Sequence, residues 1–259
     1  MLKKCTAEDE TVLKEYLMKE KEYNTFLLAD IAAYGFDNPC QDVWMETNDD
    51  VCEGIYLRFY TNLLVYSQNV GLKQTSVEII LRKSPVSVIM GKSSTLKDLG
   101  KFLSKEYDCS EKQLFRLRTT KKLRNTVSDV LQAEEKDVDD IFHFLESIPQ
   151  IRALYTSKEM IRDRIINGDG VHLFMRDGKT IISHGNSTTE AEQTVMIGGV
   201  ATKEMYRKKG YASCVVSALC NYILSRGKAP CLFAENGLAP FFESLGFESL
   251  GGWSTLERK

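Results

Sequence analysis

Residues Gly198 to Ser213 read Gly-Gly-Val-Ala-Thr-Lys-Glu-Met-Tyr-Arg-Lys-Lys-Gly-Tyr-Ala-Ser, and their types suit the holding of an anion. Two adjacent glycines near the end of a strand weaken regular pairing and mark a bulge, which turns backbone groups away from the ladder and toward a ligand. A short loop then leads to Arg207, Lys208, Lys209 and Gly210 at the mouth of the next helix. The first amides of a helix have no internal partner, and the helix dipole there is positive. Three basic side chains and a glycine for close approach complete a cradle for a pyrophosphate. Charge-assisted hydrogen bonds of that kind contribute roughly 1.5–3 kcal/mol each. A lone Arg-x-x-Gly-x-Ala would be no more than a strand-turn-helix with exposed basic residues; the context gives it weight.

Other motifs carry less chemistry. Gly91-Lys92-Ser93 has the form of a P-loop tail, but Val86 stands where that loop needs its first glycine. The histidines His143, His172 and His184 lie far apart. His143 is expected on an apolar helix face in a structural role, whereas His184, beside Gly185, is the better candidate to line a site. Asn186-Ser187-Thr188 would accept a glycan only in a secreted protein. The seven cysteines are odd in number and form no Cys-x-x-Cys, and no His-Glu-x-x-His occurs, so no metal is expected.

These motifs need elements to hold them. Thr6 and Asp9 outline a capping box for a helix with Val12, Leu13, Tyr16 and Leu17 on one face. A second helix is predicted over 24–34. Gly54 to Tyr60 and Leu63 to Tyr66 read as strands about a turn at Thr61-Asn62. Val77–Leu81 and Val86–Met90 read as short strands, a helix follows over 95–106, and Leu114–Thr119 as a closing strand. Thr120–Thr126, with Lys121, Lys122 and Arg124, reads as a solvated connector. Beyond it, helices are predicted over 136–145 and 157–166, the second capped by Ser157. A hairpin turns at Asp177-Gly178. A strand at Thr194–Ala201 then leads to a long helix over 210–225, with Ala212, Val215, Val216, Leu219, Tyr222 and Ile223 on its buried side. Pro230–Ala234, a short helix at 238–245 and a strand from Phe247 close the chain.

The fold class is therefore α/β (α+β), a mixed central sheet flanked by helices. Residues 1–120 form a smaller mixed domain and 125–259 the larger one. The chain has 259 residues, 43% hydrophobic and 27% charged, enough for two cores. Its net charge of −2 argues against a nucleic-acid partner, since nucleic-acid-binding domains are usually strongly basic. Tyr211–Leu224 is too short to span a bilayer, so no membrane partner is expected. Free thiols without an export signal point to the cytoplasm.

Val200-Ala201-Thr202 followed by Tyr206-Arg207-Lys208-Lys209-Gly210-Tyr211-Ala212 resembles the acetyl-CoA signature of the GNAT superfamily of N-acetyltransferases, Q/R-x-x-G-x-G/A after a V-A-T-type strand end. Phe242-Glu-Ser-Leu-Gly-Phe247 resembles that family's Y-E-x-L-G-F element, and the order of elements from about 125 to 259 is similar. The resemblance covers about half the chain. Residues 1–120 carry no such signature, and their texture is that of a degenerate copy only by analogy.

The resemblance implies a transfer of acetyl from acetyl-CoA to a primary amine by direct attack. It implies that Val200, Ala201 and Thr202 pair with the pantetheine arm and that Arg207, Lys208, Lys209, Gly210, Tyr211, Ala212 and Ser213 hold the pyrophosphate. Asn236 falls at a polar position after the diverging strand. For the base that takes the amine proton, Glu235 leads, followed by Glu190 and Glu192. Phe242 stands where the family's acid is commonly a tyrosine. Tyr206, Tyr211 or Cys231 could replace it, or the thiolate could leave unaided, since a free thiol has a pKa of about 8.5. Cys231 itself reads as a small core residue. The acceptor is a small-molecule or peptide amine, and a homodimer is one open option for assembly. The competing expectation is a non-catalytic CoA-binding or interaction module, and a more distant one an unrelated nucleotide-binding protein.

Overall fold

The computed structural model describes residues 1–49, 51–68, 71–125 and 128–259. Thr126, the last residue of the expected connector, lies outside the described residues. The chain forms two compact units: Met1–Leu114 with Ala234–Gly237 and Ser249–Lys259, and Phe115–Phe233 with Leu238–Glu248.

The first unit opens with β1 (Leu2–Lys4), α1 (Glu10–Met18) and α2 (Thr25–Tyr34). The Thr6–Asp9 capping box is present, and Leu13, Tyr16 and Leu17 are buried while Val12 is exposed. β2 (Gln41–Asn48), β3 (Val51–Phe59) and β4 (Asn62–Tyr66) follow as antiparallel neighbours. Then come α3 (Gln74–Lys83), β5 (Val88–Lys92), α4 (Ser93–Phe102) and β6 (Tyr107–Leu117). β5 runs parallel to β4, and its other edge pairs antiparallel with Trp253–Glu257 near the chain terminus.

The predicted strand at Val77–Leu81 is wrong: those residues lie in α3. Val77 and Ile80, three apart, share one helical face and pack with Tyr56, Leu63 and Ile89, so tertiary burial overrides the β-branched composition.

The second unit holds β7 (Leu131–Gln132), α5 (Val138–Glu146), α6 (Lys158–Asn167), β8 (His172–Asp177), β9 (Thr180–Glu190), β10 (Thr194–Thr202), α7 (Tyr211–Ser225), β11 (Ala229–Ala234) and α8 (Ala239–Ser244). β12 (Phe247–Arg258) ends the chain. The order of strand, two helices, three strands, helix, strand, helix and strand is the same as in residues 2–117.

Local rules explain most boundaries. Ser157 caps α6, its hydroxyl accepting from the Met160 amide at 3.3 Å, and Gly168 ends it at φ 72°. α5 buries Val138, Ile141, Phe144 and Leu145. His143, expected on that apolar face, is instead exposed. Arg176 of β8 ties to α5's first turn through Asp137 and Asp140, both at 2.9 Å. α7 buries Val215, Val216, Leu219, Cys220 and Ile223, one helical face, whereas Ala212 and Tyr222 are only half-buried. This face presses on β9 so closely that a Cβ on Gly185 would lie 2.9 Å from Leu219 Cδ1.

Candidate functional site

The site begins where β10 loses one neighbour. Its parallel register with β11 runs from Thr194–Ala229 to Ile197–Leu232 and ends there. On the other side β10 stays with β9 as far as Thr202–Ser183. Gly198 faces Asn186 and Ala201 faces His184, so two residues of β10, Gly199 and Val200, stand against the single Gly185. This is the expected bulge, and Gly199 sits in it at φ 58°. A Cβ on Gly198 would overlap Thr188, and one on Gly199 would overlap Tyr155 and Asn186. Both glycines are therefore dictated by close approach.

Past Thr202 the chain makes a short 3-10 turn, Glu204–Tyr206, and the Arg207 Nε donates back to the Thr202 carbonyl at 3.1 Å. Lys208 at φ 61° and Gly210 at φ 90° swing the backbone into α7 through the left-handed region. The Gly210 carbonyl accepts from the Cys214 amide, making it the first acceptor of the helix. The amides of Tyr211, Ala212 and Ser213 thus point out of the helix start without an intrahelical partner. Arg207, Lys208 and Lys209 are exposed, and nothing lies within 4 Å of a Cβ built on Gly210. The helix has no acidic residue in its first turn. An open, positively charged helix mouth with free amides fits a pyrophosphate.

The structure brings Val200, Ala201, Thr202 and Arg207 to Ser213 together as one strand-turn-helix. Tyr206 stands at its edge. Its hydroxyl donates to Asp177 at 2.8 Å, and that carboxylate holds the phenol above its usual range. Lys209 Nζ lies 5.3 Å from the Tyr206 ring centre. Glu192 is exposed in the turn before Thr194, at the closed end of β10, about 26 Å of strand away from Thr202. Glu190 is held by Arg226 at 3.0 Å and Lys228 at 3.3 Å. Glu235 and Asn236 group with the first unit, whereas the strand-turn-helix belongs to the second. Phe242 is buried among Phe115, Phe241 and Phe247, and Cys231 is wholly buried.

Sequence reasoning singled out His184 but missed the polar cluster it joins behind the bulge. Tyr155 donates to Asn186 Oδ1 at 3.1 Å, and His184 Nδ1 lies 2.9 Å from the Gly199 carbonyl oxygen. His184 Nε2 meets His172 Nδ1 at 3.0 Å. Burial holds both imidazoles neutral, His172 pushed down to about 2 and His184 to about 4. The signal was the Asp177-Gly178 turn. Counting back from it sets His184 opposite Phe174 and Asn186 opposite His172 only once the one-residue bulge between Arg176 and Met175 is included, and no local signal announces that bulge.

A family model described as GNAT acetyltransferase matches residues 94–256. Among solved structures, the chain is similar in fold to a GCN5-related N-acetyltransferase-like protein from Streptococcus suis, with TM-score 0.63, 14% identity, and 98% of this chain and 100% of that one covered. A Drosophila protein matches with TM-score 0.67 and 10% identity over 100% of this chain and 98% of that one. A tandem GNAT protein from the clavulanic acid biosynthesis pathway matches with TM-score 0.58 and 9% identity over 99% and 97%. These likenesses concern the fold. Among curated proteins no match is found.

Proposed function

This chain belongs to the GNAT acetyltransferase family, and on that premise we propose that its second unit transfers an acetyl group from acetyl-CoA to a primary amine. The observation that carries this reading is the parting of β10 from the β11 register after Ile197, followed directly by the open helix mouth at Gly210.

The main-chain edge that the β11 register leaves after Ile197, at Val200, Ala201 and Thr202, would pair with the pantetheine arm. The amides of Tyr211 to Ser213, with Arg207, Lys208 and Lys209, would hold the pyrophosphate. Acetyl-CoA supplies the thioester. The amine lone pair attacks its carbonyl carbon, the new C–N bond forms, the C–S bond breaks as CoA leaves, and the nitrogen's remaining surplus proton passes to the departed thiolate. A lysine-like amine has a pKa near 10.4, so it must first lose a proton. Glu235, directly after the last residue of β11, is the group proposed to take it. With Phe242 in an aromatic cluster and the Tyr206 proton committed to Asp177, CoA leaves as the thiolate, which a thiol pKa of about 8.5 permits.

The acceptor is a small-molecule or peptide amine, with neither nucleic acid nor membrane as partner. Among the described residues no helix is long and apolar enough to cross a membrane. The seven free thiols favour the cytoplasm. The repeated element order favours reading residues 1–117 as a second, degenerate copy of the same fold. Burial of Phe242 also supports the rival reading of a CoA-binding module without turnover. Thiol release from acetyl-CoA, followed across a panel of amines, separates the two: amine-dependent release supports transfer, and binding without release supports the module.

A further inference from the structure

The polar groups behind the bulge have directions that hydrogen-bond chemistry fixes. A carbonyl oxygen only accepts, so His184 Nδ1 carries the hydrogen it shares with Gly199. A neutral imidazole has one N–H, which leaves His184 Nε2 as a lone pair. His172 Nδ1 must then be the donor to it, and His172 Nε2 is a lone pair as well. That atom is buried and meets no partner among the described residues. The same holds for Asn186 Nδ2, whose amide oxygen already accepts from Tyr155.

His172 and Asn186 are direct partners in the β8–β9 register, so both side chains leave the same face of the sheet. An orphaned acceptor and an orphaned donor thus leave the same face of the sheet at paired positions. Leaving either buried and unsatisfied is costly, and buried polar groups are rarely left so. A single water molecule between them would satisfy both, accepting from Asn186 Nδ2 and donating to His172 Nε2.

We propose that Tyr155, Asn186, one buried water, His172 and His184 form a single head-to-tail hydrogen-bond chain that ends on the Gly199 carbonyl and positions the bulge. Every hydrogen in it points the same way, from the Tyr155 hydroxyl to Gly199, so its members polarise one another. The last bond holds the Gly199–Val200 peptide, whose N–H opens the main-chain edge assigned to the cofactor. Polarising that carbonyl strengthens that amide as a donor. The chain's existence is independent of the proposed transfer; its role as a positioning device rests on the proposed pairing of Val200, Ala201 and Thr202 with the pantetheine arm. Arg164, whose guanidinium reaches the Ser187 carbonyl at 3.4 Å, is the charged group that acts on His172, and it opposes protonation there.

Nitrogen-proton NMR of the imidazoles in the wild-type protein at pH 7 tests the chain directly. Both His172 and His184 are expected as Nδ1–H tautomers with bare Nε2. An Nε2–H form of either, or an imidazolium, overturns the proposal. The positioning role is tested with His172→Phe, measuring kcat and the acetyl-CoA Kd separately at an unchanged thermal midpoint. The role requires kcat to fall by about 10- to 100-fold while Kd stays put; an unchanged kcat overturns it. A wild-type protein that binds no acetyl-CoA sinks the transferase reading and the positioning role together, and leaves the tautomers to decide the chain.

Discussion

The Gly199 α-carbon lies against the Tyr155 hydroxyl so closely that a Cβ there would overlap it. The same glycine occupies the left-handed region at φ 58°. Gly199→Ala must therefore bear both backbone strain and an overpacked contact. The expected loss is roughly 2–4 kcal/mol in the unfolding free energy measured with urea. Adding Tyr155→Phe, which removes the overlapping oxygen, is expected to restore part of that loss. Strict additivity of the two changes would show that they do not touch.

The buried imidazoles give the fold a defined response to acid. Their folded values, about 2 for His172 and about 4 for His184, lie below the ordinary 6.5. Below pH 6.5 the unfolded chain takes up protons that the native state refuses, so stability falls as the pH drops toward 4. Each imidazole steepens that fall by up to about 1.4 kcal/mol per pH unit. Urea unfolding at pH 7 and pH 5 checks this: His172→Phe is expected to show a shallower decline than the wild type. Equal declines would contradict the burial of a neutral His172.

The base assignment makes a separable prediction. Glu235→Gln keeps the size of the side chain and removes its ability to accept a proton. Turnover near neutral pH is expected to fall by about 100-fold or more, with acetyl-CoA affinity unchanged. Unaltered turnover would remove Glu235 from the mechanism.

The strand-turn-helix from Gly198 to Ser213 was legible because its signals are local: paired glycines, a basic run and a glycine opening an apolar helical stripe. The α3 helix was misread because Val77, Ile79 and Ile80 carry β-branched chemistry, and only packing with Tyr56 and Ile89 selects the helix. His143 was misplaced because Phe144 and Leu145 beside it take the buried face. The pairing of Trp253–Glu257 with β5 joins residues more than 160 positions apart, and no local pattern announces it. The contact between His172 and His184 needed the hairpin register carried across a bulge.

The central claim is that the mouth of α7 holds a pyrophosphate, and Gly210 tests it best. At φ 90° any side chain there is strained, but a Cβ meets nothing within 4 Å. Gly210→Ala and Gly210→Asp bear the same backbone strain, and only the second sets a carboxylate where the phosphates would sit. Calorimetric titration of the wild type and both variants with acetyl-CoA, with ATP as a control, measures the difference. The expected result is binding of acetyl-CoA but not ATP by the wild type, near-wild-type affinity for the alanine variant, and a loss of about 100-fold, or ~2.7 kcal/mol, for the aspartate variant. Equal affinity in the alanine and aspartate variants, or no binding by the wild type, would contradict it.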